Sequence, residues 1–439
     1  MKSKKNIGGC LRYEDFLDIG YKPSDDELVV LFRVEPNKGM SMKEVAARVA
    51  SESSCGTWSD LKWYPKRVEK LKGKVFEIKG NFVKISYPLD LFELESIPNL
   101  LSGIAGNIFG MKAVKNLRLI DATFPKRFLK FYKGAFYGHD AISKIFKRKE
   151  GPIIASVPKP KVGFSHKEHA KVGYLLWRGG LDVIKDDENL SSPRFNKFEE
   201  RVKLLAKYRD KVEKEVGGPK DAFINVTAPT LKEMERRIKM IHDYGFKYFM
   251  LDVVVAGFTA VQTATEIARD LKMAIHGHRA MHAMFTRNEK HGMSMLFLAK
   301  LMRILGVDQI HIGTVVGKLE GRKRDVIATK ECITENSVNE IEGVRLKQEW
   351  YHIKPILPVA SGGLHPGILP ELFDIYKTTN IVIQVGGGIF AHPMGIEAGA
   401  RAVVQAVEAY KKGISLEEYA EKHKELKKAL EVWGKSKPV

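Results

Sequence analysis

From about residue 150 onward the sequence switches eight times between a short apolar, β-branched run and a longer stretch patterned for a helix, and this alternation restricts the fold more than any other feature. The runs occupy residues 153–157, 181–185, 223–226, 248–253, 273–276, 309–312, 356–360 and 381–385. Strands that alternate with helices form parallel sheets joined by crossover helices, and eight such units close a (β/α)8 TIM barrel. Punctuation between the runs agrees. Ser165 with Glu168 and Thr230 with Glu233 have the spacing of capping boxes, Ser192-Pro193 reads as a helix start, and Gly245 and Gly306 stand where helices end.

A different rhythm precedes the barrel. Residues 28–34 are β-rich, 41–50 helical, 75–79 and 82–87 flank a Gly80-Asn81 turn, Ser96 caps a helix through 105, and 117–124 close the set. This strand-helix-strand-strand-helix-strand order predicts an α+β ferredoxin-like domain. The expectation is therefore an α/β protein: residues 1–135 form the ferredoxin-like domain and residues 136–439 the barrel with a helical tail. A length of 439 residues suits two cores better than one.

Partners are bounded by charge and composition. The net charge is +20, but lysine is interleaved with glutamate along 198–216 and 416–430, the pattern of solvated, ion-paired helix faces found in heat-adapted proteins. That distribution argues against a nucleic-acid stripe, while the surplus would draw in a polyanionic substrate. No run of 18 uncharged apolar residues occurs and the opening MKSKKNIGGC has no apolar signal core, so no membrane association and a cytoplasmic location are expected. Cys10, Cys55 and Cys332 make neither a CxxC pair nor an even framework, which fits a reducing compartment.

Barrel enzymes carry their chemistry at the C-terminal ends of the strands. Here strand one runs into Lys159-Pro160-Lys161, strand two into Lys185-Asp186-Asp187-Glu188, and strand five into His278-Arg279. Strand six ends at His311 and opens a loop bounded by Gly313 and Gly317 that carries Lys318; strands seven and eight lead to Ser361-Gly362-Gly363 and Gly386–Gly388. Asp187 and Glu188 supply hard oxygen ligands suited to Mg²⁺. Lys185 shares a strand face with Asp187, and as the free amine it can take up CO2 to give an anionic carbamate that completes an oxygen set. Alone, KDDE would read as an exposed charged loop; its place after a β-branched strand and the Gly179-Gly180 turn sets it apart. Glycines after strands seven and eight let backbone N–H groups approach a phosphate, and Arg279 with His278 and His311 can hold a second, which implies a bisphosphate. Lys318 lies where a lid loop would open and shut. His242, His282, His352 and His365 read as structural histidines satisfying local hydrogen bonds, and Met281, Met284, Met293 and Met295 as core filler.

These strings resemble the large subunit of the RuBisCO family, ribulose-1,5-bisphosphate carboxylase/oxygenase. GGLDVIKDDEN at 179–189 is similar to its activation signature, and the likeness continues through KPKVG at 159–163, HGHRAMHA at 276–283, GTVVGKLEG at 313–321, VASGG at 359–363, QVGGG at 384–388, ESSCGTW at 52–58 and GNIFGMKA at 106–113. The resemblance implies that Lys185 is carbamylated by an activator CO2 and binds Mg²⁺ with Asp187 and Glu188. It implies that Lys159 transfers a proton at the reacting carbons, supported by Lys161, and that Lys318 meets the CO2. His278, which also counts as catalytic, Arg279, His311 and Ser361 would contact ribulose 1,5-bisphosphate, with Gly362, Gly363, Gln384, Gly386 and Gly387 around a phosphate. Glu52, Thr57, Trp58 and Asn107 would complete the site of a second subunit, so a homodimer with shared sites is implied, able to assemble into rings of dimers and needing no small subunit. The product would be two 3-phosphoglycerates, with O2 competing in a side reaction. Val157 and Ile312 depart from plant-type enzymes, and the likeness is greatest to the archaeal form III branch, whose substrate comes from nucleotide ribose (AMP) salvage. A second reading, a RuBisCO-like enolase or isomerase acting on another phosphorylated keto sugar, shares fold and metal site. The presence of Lys318, Arg279, His311, Lys159 and Ser361 together stands against it.

Overall fold

Leu28, Val30, Phe32 and Val34 alternate onto a buried face of strand β1 (Glu27–Pro36) in the computed structural model, which describes residues 10–316 and 322–437. Helix Met42–Glu52 follows, capped by Ser41, whose hydroxyl accepts from Glu44 N at 3.2 Å, and it buries Val45, Ala46, Val49 and Ala50. Strands β2 (Lys74–Lys79) and β3 (Phe82–Pro88) form the expected hairpin, with Gly80 at φ +55° in the left-handed region that the tight turn requires. Helix Ile97–Ile104, capped by Ser96, leads to β4 (Val114–Thr123). Neighbours in the order β4-β1-β3-β2 are all antiparallel, the pairing of a ferredoxin-like sheet.

The chain divides into two units, with the first cut between Lys133 and Gly134. Two later excursions, residues 281–304 and 335–353, belong to the first unit. The first adds the two-residue strand Gly292–Met293, parallel to β4, and buries Lys300 against Asp121 at 2.8 Å with both side chains inaccessible. The second contributes the short antiparallel pair Ser337–Val338 and Gln348–Glu349, and Leu346 packs with Leu31 and Ile120.

The second unit holds eight parallel strands in sequential order: one Ile153–Ser156, two Val183–Lys185, three Asp221–Phe223, four Tyr248–Asp252, five Ala274–His278, six Gln309–His311, seven Leu357–Ser361 and eight Val382–Gln384. Strand eight pairs with strand one, and the ring closes between strands three and four through the Asn225–Met250 bridge, where Val226 N donates to Met250 O at 2.9 Å. A (β/α)8 barrel results. Its interior is packed with Ile153, Ala155, Val183, Phe223, Tyr248, Met250, Ala274, Leu357, Val359 and Val382, and Ala141, Ile142, Ile145 and Phe146 join that cluster. Each large aliphatic buried there contributes about 1.5–3 kcal/mol, so the interior is a filled core rather than a channel.

Local expectations hold with five adjustments, the first being that Met281 and Met284, read as core filler, are 43% and 79% exposed. Ser165 and Glu168 form the reciprocal capping box, whereas Thr230 caps its helix alone because Glu233 turns to Arg236 and Arg237 at 2.7 and 2.9 Å. Helix Phe198–Val216 starts beyond Ser192-Pro193, although the Ser192 hydroxyl still accepts from Phe198 N at 3.1 Å. The charged stretch 416–430 is two helices, Leu416–Glu421 and Lys424–Trp433, separated at His423. Strand five runs on to His278, which places that histidine on the ladder itself. Among the described residues no helix is long and apolar enough to cross a membrane.

Candidate active site

Period-two alternation carries the barrel's apolar interior into a polar layer at the C-terminal strand ends. Two positions beyond inward-facing Val183, Met250, Ala274, Val359 and Val382 stand Lys185, Asp252, His276, Ser361 and Gln384. Asn225 and His311 extend strands three and six into the same layer, and strand one continues through Val157 to Lys159.

Lys185 is 1% exposed, and its ammonium-bearing atom Nζ donates to Asp186 O at 2.7 Å. Burial lowers its pKa below the ordinary lysine value, against the pull of Glu188, Asp252, Asp187 and Asp186. Asp187 is buried beside it. Its Oδ1 accepts from Asn189 N and Nδ2 at 3.2 and 3.0 Å, and Lys159 Nζ stands 3.8 Å from its Oδ2. Asp186 points away, into a pocket made by Arg201: Nε and Nη2 both lie 3.1 Å from Asp186 Oδ2, and His169 Nε2 lies 3.1 Å from Oδ1. Burial pushes this carboxyl up, but Arg201, His169 and Asn225 N outweigh it and hold the pKa low. One acid of the KDDE string thus anchors the turn and two face the mouth. Among the described residues no group of three or more His, Cys, Asp or Glu side chains is disposed to hold a metal ion.

Histidines line the far wall. His276 Nε2 is 3.0 Å from His311 Nε2 and 3.1 Å from Gln384 Nε2, while its Nδ1 is 2.7 Å from Gln309 Nε2. His311 Nδ1 in turn lies 2.8 Å from Ser361 Oγ. Burial drives the pKa of His276 and His311 well below the usual histidine range, so this chain of contacts is neutral near pH 7. His278 Nδ1 lies 3.1 Å from Asp252 Oδ1, and its Nε2 is 3.7 Å from Glu188 Oε2.

Arg279 is buried, and that burial lowers its pKa to about 10, still a cation at neutral pH. Gly362 and Gly363 have φ of +104° and +77°, which a side chain would strain. A Cβ at Gly386 would come within 3.1 Å of Lys159 Cε, so strand eight's loop stands directly beside strand one's lysine.

The catalytic-domain model of the ribulose bisphosphate carboxylase large chain matches residues 140–433, and its N-terminal-domain model matches residues 15–128. The chain belongs to the ribulose bisphosphate carboxylase large-chain family. Similar relatives are the ribulose bisphosphate carboxylases of Archaeoglobus fulgidus, 48% identical over 97% of this chain and 99% of that protein, and of Pyrococcus abyssi, 48% identical over 97% and 98%. Among solved structures, the dimeric archaeal Rubisco from Hyperthermus butylicus has a TM-score of 0.92 at 47% identity, covering 97% of this chain and all of that one. The octameric enzyme from Pyrococcus horikoshii has a TM-score of 0.90 at 46% identity, covering 98% of each.

Within that family fold, the structure brings Lys159, Lys185, Asp187, Glu188, His278, Arg279, His311, Ser361, Gln384 and Gly386 to the barrel's C-terminal end. Lys161 is exposed on the loop after strand one. Lys318 lies outside the described residues. Glu52, Thr57, Trp58 and Asn107 lie in the first unit: Glu52 ends helix Met42–Glu52 and accepts from the Tyr13 hydroxyl at 3.3 Å, Trp58 is 81% exposed, and Asn107 opens a short turn. Asn225, Asp252 and His276 escaped the sequence reading.

Proposed function

We propose that this chain is a ribulose bisphosphate carboxylase, which adds CO2 to ribulose 1,5-bisphosphate to give two molecules of 3-phosphoglycerate, with O2 competing for the same intermediate. The observation that carries the proposal is Lys185, a fully buried lysine whose amine burial shifts toward its neutral form in a cluster of acids that includes Asp187 and Glu188. A neutral amine can attack CO2. The N–C bond forms, one N–H proton leaves to solvent, and the resulting carbamate adds its oxygens to those of Asp187 and Glu188.

Such a donor set fits Mg²⁺, which takes hard oxygen ligands and keeps open positions for substrate. When bound, the ion supplies positive charge to the substrate oxygens. The carbamate oxygen is the base for the C3 proton, and Lys159, close to Asp187, returns a proton to the carbanion released at C–C cleavage. Arg279 and the glycine loops of strands seven and eight hold the two phosphates, and His278, His311 and Ser361 orient the sugar between them. Glu52, Thr57, Trp58 and Asn107 complete the site of a second subunit. Exposure of Trp58 supports this reading, as do the dimeric and octameric relatives. The ferredoxin-like domain of residues 1–135 and the barrel domain of residues 136–439 belong to the same proposal.

Incubation with CO2 and Mg²⁺, followed by ribulose 1,5-bisphosphate and labelled CO2, is expected to give acid-stable product, and Lys185→Ala to give none. A fully active Lys185→Ala would overturn the metal site. Turnover of another keto sugar with no label incorporated would favour the enolase. Mixing Glu52→Gln with Lys159→Ala subunits should restore activity through one intact hybrid site; subunit exchange without recovery would remove the shared-site element.

A further inference from the structure

The C-terminal helix Lys424–Trp433 is clasped at both ends by histidines that come from the two glycine loops. His392, just past the strand-eight loop, has Nε2 2.9 Å from Glu425 O near the start of the helix, and its Nδ1 accepts from Met394 N at 3.1 Å. His365, just past the strand-seven loop, has Nε2 2.8 Å from Ser436 O beyond the helix end. A carbonyl oxygen only accepts, so Nε2 carries the proton in both rings. Both histidines are buried. The Trp433 ring packs near both, with centroids 5.9 Å from His365 and 6.4 Å from His392.

Contacts around the clasp are backbone-tight. A Cβ on Gly367, in the turn after His365, would lie 1.7 Å from Gly434 O, so the chain leaving the helix rests on that turn with no room for a methyl group. The loops also touch each other: a Cβ on Gly388 would lie 2.7 Å from both Leu364 O and His365 Cβ. Lys437 Nζ closes the far side on Glu371 at 2.6 Å. Close-packed groups of this kind transmit a displacement rather than absorb it.

We propose that the segment from Glu425 to Ser436 is a positioning strut, which sets the spacing of the strand-seven and strand-eight loops through His365 and His392. The proposal rests on the reading that those loops hold a substrate phosphate. His365, His392 and Trp433 touch no substrate in this scheme; they fix Ser361–Gly363 relative to Gly386–Gly388. Loss of the strut weakens the grip on the bisphosphate while leaving the carbamate site on strand two intact.

The test uses the full-length enzyme and three variants: His365→Ala, Gly367→Ala and a chain ending at Gly434. Each is expected to raise KM for ribulose 1,5-bisphosphate about tenfold, below the roughly hundredfold that a misplacement of about 1 Å can cost, while kcat moves less than about twofold. Trp433 fluorescence should change in all three, reporting release of the clasp. His365→Gln keeps a side-chain N–H for Ser436 O and should recover most of the affinity. Ser361→Ala distinguishes failure of the phosphate site from failure of the strut: unchanged affinity there would overturn the phosphate reading and the strut with it. Should Ser361→Ala bind weakly while the three strut variants show altered Trp433 emission and wild-type KM, the strut alone is wrong. A fall in kcat with KM unchanged would also overturn it.

Discussion

Asp252 and His278 stand opposite each other on adjacent parallel strands, and Asp252 Oδ1 lies 3.1 Å from His278 Nδ1. The other carboxylate oxygen accepts from Asn225 Nδ2 at 3.1 Å and Thr227 Oγ1 at 3.2 Å, which locks the carboxylate plane. Ala280 N–H donates toward His278 Nδ1 at 3.2 Å, so that nitrogen stands between a donor and an acceptor, and Asp252 is the partner that draws a proton to it. Burial, then the nearby Lys185, lowers the His278 pKa, so the ring is neutral and Nε2 faces the mouth as an acceptor. Asp252→Asn can offer an N–H to Nδ1 and drive the proton to Nε2. Carboxylation should fall roughly ten- to a hundredfold, the scale found for outer partners of site histidines. An unchanged rate would show that the tautomer does not matter.

Lys185→Met should be inactive and more heat-stable than the native protein. The lysine pKa is lowered in the folded state, so the unfolded chain binds this proton more readily and the fold is penalised at pH below the ordinary lysine value of 10.5. Methionine fills similar volume without that penalty. Thermal unfolding at pH 7 should therefore occur at higher temperature, and the difference should shrink as pH approaches 10.5. A variant that melts lower would mean the amine is held in its charged form by the surrounding acids.

Arg201→Met tests the other acid of the string. Asp186 has a pKa lowered from 3.8, so it adds stability above that value, lost as pH falls through the folded-state pKa. Arg201 is fully buried and also donates to Asn196 Oδ1 at 3.0 Å and Ser191 O at 2.7 Å. Removing it leaves a buried carboxylate with too few partners, a loss of about 3–5 kcal/mol. The acid-unfolding midpoint should move to higher pH, and retention of the native midpoint would contradict the assignment.

The polar layer was legible wherever a strand ended in several distinctive residues, as at Lys185–Glu188, and illegible where a single residue carried it. Asp252 ends the run Tyr248–Asp252, and simple alternation from Met250 would have pointed it inward; Asn225 sits at the equivalent place after Phe223. His276 gains its meaning from Gln309, His311 and Gln384 on other strands, which no local pattern reveals. The two excursions into the first unit left as little trace, because a strand of two residues, Gly292–Met293, has no period to detect. His365 read as a local hydrogen-bonding residue, yet its partner Ser436 is 71 positions away.

Lys318, which follows strand six in the sequence, offers the sharpest division of the proposed reaction. In the proposed reaction, removing the C3 proton needs the carbamate on Lys185 and a held bisphosphate, which that reading assigns to strands one, two, five, seven and eight. Capturing CO2 at C2 needs a further cation brought over the substrate, and a lysine flanked by Gly317 and Gly321 is suited to deliver it. Lys318→Ala should accordingly keep Mg²⁺ binding and exchange of the C3 proton with solvent. Its carboxylation should drop by roughly a factor of a thousand, about 4 kcal/mol of transition-state stabilisation. Lys185→Ala should abolish exchange and carboxylation together. Proton exchange followed by mass spectrometry, run beside labelled-CO2 fixation, separates the two steps, and near-native carboxylation by Lys318→Ala would make an enolase the better description of this barrel.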